Sequence, residues 1–138
     1  MRALLAALTL LLAAAVLPVA GARADEAAAR SVIEAQLRAF LADDGARAYS
    51  YAAPGIKRIF PSQDRFMAMV RQGYPPVYRP RDFSFDTYRE TPAGPIQEVT
   101  IIDHTGVAWR AIYALEQQPD GSWKISGCQL LRLPGVSA

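Results

Sequence analysis

The chain has 138 residues, with 15 Lys and Arg, 13 Asp and Glu, one His and one Cys. A balance this near neutral carries no electrostatic footprint for nucleic acid or anionic lipid. A lone cysteine excludes an intramolecular disulfide, leaving either a buried thiol or a link between chains.

Met1-Arg2 places one positive charge ahead of an apolar run from Ala3 to Val16. Pro18 and Gly21 break a helix, Ala22-Arg23-Ala24 offers small residues to a signal peptidase, and Asp25-Glu26 open a polar segment. This is the three-part layout of a secretory signal. The apolar run is short for a membrane span of roughly 20 residues. No cysteine stands near the cleavage point for lipid attachment, and there is no twin arginine. Residues 1–24 are therefore expected to be a cleavable signal peptide. Residues 25–138 are expected to be a single domain, periplasmic or secreted, with no membrane contact after cleavage. Without Arg2 and Arg23 the basic side chains equal the 13 acidic ones, so that domain is formally neutral.

A first helix is expected from about Glu26 to Ala42, with Ile33, Leu37, Phe40 and Leu41 at helical spacing and Glu34, Gln36 and Arg38 opposite. Asp43-Asp44-Gly45 stops it and caps a short second helix, Ala46 to Ala52. Pro54-Gly55 ends that one, and Ile56 to Phe60 form a further turn. Pro61-Ser62 opens a longer helix ending at Gly73, with Ser62 as N-cap, Asp64 in its first turn and Phe66, Met69 and Val70 as its stripe. Tyr74 to Pro80 reads as a rigid extended connector, since paired prolines sit badly inside a helix or a central strand.

Beyond Arg81 the period changes to two. Phe83 and Phe85 mark a first strand, ended by Thr91 to Pro95. Ile96 to Asp103, Val107 to Glu116 and Ser122 to about Leu133 follow, joined by turns at His104-Thr105-Gly106 and Pro119-Asp120-Gly121. Short connections make the strands antiparallel. Helices first and a four-stranded meander after them indicate an α+β fold, with helices covering one sheet face. That face is expected to carry Val107, Trp109, Ala111, Tyr113 and Leu115 on the third strand. On the fourth it is expected to carry Trp123, Ile125, Gly127, Gln129 and Leu131. Ile112, Cys128 and Leu130 then fall on the outer face as an apolar patch, an expected homodimer contact.

Asp43-Asp44 after an amphipathic helix, the Ala53-Pro54 step, Phe66-x-x-Met69-Val70-x-x-Gly73-Tyr74 and Asp120-Gly121-x-Trp123-x-Ile125-x-Gly127-Cys128 resemble a bacterial family known only as domain of unknown function 4864. The resemblance runs from about Ser31 to Pro134. That family is similar in turn to the nuclear transport factor 2-like superfamily, the SnoaL-like or cystatin-like cones. The resemblance implies a curved sheet wrapped on helices around a cavity. It implies no particular reaction, because that superfamily hosts isomerases, dehydratases, cyclases and plain binding modules.

Chemistry is sparse. His104 stands beside Asp103 in a turn, but neighbouring strand residues point to opposite faces, so an acid–base pair is the less economical reading. One His and one Cys give no ligand spacing, so neither a metal nor a cofactor is expected. Asp43-Asp44 suits a helix end better than a cation site. Cys128 has only Lys124 near it, too little to make a thiolate. Arg79 and Arg81 with Tyr78 read as a solvated loop ahead of an anion clamp. No catalytic residue is assigned. The candidate ligand-binding residues are Tyr74, Trp109, Tyr113 and Gln129, a polar group among aromatics, and the competing view is that these rings fill the core. Three functions follow: a non-catalytic exported module binding a small apolar molecule or a protein; a cyclase, isomerase or dehydratase using Asp103, Tyr113 or His104; and a structural homodimer.

Overall fold

The computed structural model describes residues 20–135, so most of the expected signal peptide lies outside the described residues. Helix α1 (Ala20–Leu41) begins before Glu26 and holds Gly21 within its exposed start. A glycine costs only about 1 kcal/mol against alanine in a helix, which a helix end tolerates. Ala29, Ile33, Leu37 and Phe40 form its buried stripe. Among the described residues no helix is long and apolar enough to cross a membrane.

Helix α1 stops where Asp43 turns to a positive φ of 51°. Asp44 then caps α2 (Gly45–Ser50), its carboxylate accepting from the Arg47 amide at 3.1 Å. Helix α3 (Pro54–Ile59) starts on its proline. Helix α4 (Gln63–Gly73) is capped by Ser62, whose hydroxyl accepts from the Arg65 amide at 3.2 Å. The stretch expected to be an extended connector contains a one-turn helix instead, α5 (Pro75–Tyr78). Its two prolines fill the first helical positions, where no amide hydrogen is needed and a φ near −65° is already helical.

Strands β1 (Asp82–Thr91), β2 (Gly94–Ile102), β3 (Ala108–Gln117) and β4 (Trp123–Arg132) form an antiparallel sheet in chain order. The helices pack on one face, giving the expected α+β fold. Val99, Ile101, Ala111, Tyr113, Leu115 and Ile125 bury their side chains on that face.

Two bulges reset the faces. On β1, Phe85 pairs with Val99 and Tyr88 with Gln97, so Asp86 and Thr87 together oppose Glu98. The buried Gln97 side chain satisfies this irregular backbone, donating to the carbonyls of Glu98 at 2.8 Å and Asp86 at 3.2 Å. On β4, Leu115 pairs with Ile125 but Ala114 with Gly127, leaving Ser126 unmatched. The extra residue shifts the pleat by one. Beyond it Cys128 and Leu130 share the helix-side face with Tyr113 and Ala111. Gln129 and Leu131 pair with Ile112 and Arg110 on the opposite face and are exposed. The expected facing of Gln129, Leu131, Cys128 and Leu130 is thus reversed. Of the three residues in the anticipated outer patch, only Ile112 faces outward.

The free edge of β4 is partly paired. The Ile125 amide donates to the Tyr51 carbonyl, and the Ala53 amide donates to the Ile125 carbonyl, each at 2.8 Å. This short parallel bridge fixes the residue before Pro54, and so sets α3 against the sheet.

Candidate functional site

Between the helices and the sheet lies a cavity of about 310 Å³, near the lower end of the range for small-molecule sites. The sheet supplies Tyr113 from β3, with Ile125 and Cys128 from either side of the Ser126 bulge. Helix α1 contributes Gln36 and Phe40, and α3 contributes Ile56 with Phe60 just past its end. Phe66, Met69 and Val70 of α4, then Tyr74 and Val77, complete the wall. The local folding explains each placement: the β4 edge bridge holds α3, the Ser62 cap starts α4, and the bulge turns Cys128 inward.

Among the described residues four polar side chains reach this lining: Gln36, Tyr74, Tyr113 and Cys128. Gln36 is buried, and its Nε2 donates to the Ala48 carbonyl at 3.1 Å. The Tyr113 hydroxyl is buried with no hydrogen-bond partner among the described residues. Burial first, and then the adjacent Cys128, push this phenol well above its ordinary pKa. Burial likewise pushes the Cys128 thiol up to about 12, against a smaller opposing pull from Tyr113. Phenol, thiol and amide are therefore all neutral near pH 7. Among the described residues no Asp, Glu, His, Lys or Arg side chain lines the cavity. The arrangement can enclose an apolar body and offer it hydrogen bonds, but it holds no general base.

Of the four candidate residues, the structure brings Tyr74 and Tyr113 together in the cavity. Trp109 is half-buried on the same sheet face but lines a separate groove with Pro75, Pro76, Tyr78 and Leu130. Gln129 projects from the other face, for the reason already given. Gln36 and Cys128 were missed as cavity residues. Gln36 carries a signal in its spacing, three residues after Ile33 and four before Phe40, which puts it on the buried stripe and not opposite it.

The remaining polar candidates have structural work. Asp103 accepts hydrogen bonds from the Thr105 amide and hydroxyl, the Val107 amide and the Trp109 indole. Those bonds, chiefly from Thr105 and then Trp109, lower its pKa to about 2. His104 is exposed on the same turn. Arg79 pairs with Asp43 at 2.6 Å, donates to the Phe40 carbonyl, and stacks over the Tyr78 ring at 3.9 Å. Tyr78 also donates to Asp43. The Asp43 carboxylate and the Arg79 guanidinium thus lock the end of α1 to α5. Among the described residues no three His, Cys, Asp or Glu side chains cluster so as to hold a metal ion.

The chain belongs to the family described as Domain of unknown function (DUF4864), which matches residues 22–138. Neither the curated proteins nor the solved structures give a match. Family membership thus leaves the site to be read from its own chemistry.

Proposed function

We propose that this chain is an exported, non-catalytic module that binds a small apolar molecule in the cavity between helices and sheet. The observation that carries this reading is the cavity lining, aromatic and aliphatic, with Gln36, Tyr74, Tyr113 and Cys128 as its polar side chains and, among the described residues, no Asp, Glu, His, Lys or Arg. An enzymatic role for Asp103, His104 or Tyr113 needs an acid or base beside the substrate. Only Tyr113 reaches the cavity, and it does so as a neutral phenol. An antiparallel sheet packed on helices around such a cavity is also what a nuclear transport factor 2-like cone provides.

The export half of the proposal rests on residues 1–24. The family match begins at Ala22, beyond the apolar run. Cleavage after Ala24 would leave the core whole, since the first buried residue of α1 is Ala29. The exported product should have the intact mass of a chain starting at Asp25.

Binding is tested by saturation-transfer NMR with ethylbenzene, an uncharged probe for an apolar cavity. Signal transfer is expected with the wild-type chain. It should be lost in Met69→Trp, where an indole enters the cavity from a half-buried wall position, with circular dichroism unchanged. Transfer that survives Met69→Trp would move binding elsewhere.

A further inference from the structure

One acceptor in the cavity wall stands open. Gln36 lies on the buried stripe of α1 and is only 4% exposed. Its Nε2 donates to the Ala48 carbonyl at 3.1 Å. A carbonyl can only accept, so that bond fixes which way round the amide sits. Oε1 has no hydrogen-bond partner among the described residues. It is not sealed off either: among the described residues the polar side-chain atoms both sealed and unpartnered are Arg110 Nε and the Tyr113 hydroxyl. The accessible surface that Oε1 keeps opens on the cavity, the space that Gln36 lines. An occupant that covers this oxygen with carbon, or with an ether or ketone oxygen, leaves a buried acceptor unmade, which costs free energy. The half-buried Tyr74 hydroxyl and the second Nε2 hydrogen can serve any ligand oxygen, so they select nothing. Among the described residues no Asp, Glu, His, Lys or Arg lines the cavity, and an unpaired ion moved into an apolar site is strongly disfavoured.

We infer that the occupant is a neutral molecule with an apolar body and a hydroxyl or N–H group, such as an alcohol, phenol or amide, that donates to Gln36 Oε1. This rests on the binding function proposed above and specifies its ligand class. Phe40 follows Gln36 by one turn of α1, on the same helix face. Its ring, with those of Phe60 and Phe66, walls in the apolar body while the amide oxygen orients it. A hydrocarbon would fill the same space and leave Oε1 unmatched. A carboxylate would bring a charge with no counter-ion, and an ammonium would donate but be equally unpaired.

Four probes of similar size separate these cases: ethylbenzene, anisole, benzyl alcohol and benzylammonium, titrated into the full exported chain and into Gln36→Met. Methionine keeps the length of the side chain and removes the acceptor, and the Ala48 carbonyl still has the Tyr51 amide as a donor at 3.3 Å. The preference for benzyl alcohol over anisole should fall roughly 2- to 10-fold in the variant, the loss of one neutral hydrogen bond. Benzylammonium should bind the wild type more weakly than benzyl alcohol does. The Cδ chemical shift of Gln36, read by carbon NMR on the wild type, should lie further downfield with benzyl alcohol bound than with anisole bound. That readout needs no variant and decides the matter if Gln36→Met does not fold. A preference unchanged in folded Gln36→Met, or a Cδ shift the same for both probes, would overturn the inference while leaving the binding function standing. Benzylammonium bound as tightly as benzyl alcohol would overturn it too. Failure of both ethylbenzene and benzyl alcohol on the wild type would remove the binding function itself.

Discussion

Trp109 and Asp103 are tied across the hairpin between β2 and β3, the indole Nε1 donating to Asp103 Oδ2 at 2.9 Å. The other carboxylate oxygen accepts from the Thr105 hydroxyl at 2.7 Å, the Thr105 amide at 2.9 Å and the Val107 amide at 3.0 Å. One ionised group thus closes the turn and anchors the large ring that roofs the groove beside α5. Because these donors lower the folded pKa from 3.8 to about 2, the stabilisation is fully present above the unfolded value. It is lost as pH falls through the folded one. Asp103→Asn keeps the shape but loses the charge. Its melting temperature should lie below the wild type at pH 5 and converge on it towards pH 2. A gap constant across that range would mean the charge contributes nothing.

Cys128 turns inward beyond the Ser126 bulge, and burial raises its thiol to about 12. Against an ordinary cysteine near 8.5, that leaves on the order of 10³ less thiolate at pH 8. Iodoacetamide should modify the native chain very slowly and the urea-unfolded chain at the rate of a free thiol. Rapid native labelling, or a disulfide-linked dimer in mild oxidant, would place the sulfur at the surface instead.

The order of elements was legible because each boundary has a local cause. Ser62 and Asp44 cap the helices they precede, and Gly106 and Gly121 take the positive φ their hairpin turns require. The buried residues of β2 and β3 alternate as the period of two demands. Facing on β4 was not legible past Ile125. A bulge is one additional residue with no compositional mark, and Ser126 resembles any strand serine; yet it carried Gln129 out of the candidate site and Cys128 into it. The site was therefore half readable. Tyr113 follows from strand period, and Tyr74 from its position after a capped helix. The α3 wall depends on the bridge between Tyr51–Ala53 and Ile125, a contact between segments far apart in sequence.

Gly94 opens β2 at a φ of +116°, and a Cβ there would stand 2.8 Å from the Leu115 carbonyl oxygen. Gly106 also has a positive φ, +83°, but an added Cβ meets nothing within 4 Å. Both alanine substitutions incur backbone strain of about 1–3 kcal/mol, and only Gly94→Ala adds a clash with backbone that cannot swing away. In urea unfolding, Gly94→Ala should lose more stability than Gly106→Ala. Equal losses would show that β2 and β3 separate at that end without cost.

Tyr113→Phe is expected to stabilise the unliganded protein, although it alters the centre of the core. The ring is almost wholly buried, and its hydroxyl has no partner among the described residues. Phenylalanine keeps the packed ring and removes only the unmatched oxygen. A buried hydroxyl without a hydrogen bond costs about 1–3 kcal/mol, so removing it should recover about 1 kcal/mol once the small void is counted. The gain should appear as a higher urea midpoint with an unchanged slope, meaning the same surface is exposed on unfolding. A clear loss of stability in Tyr113→Phe would show that the hydroxyl already has a partner.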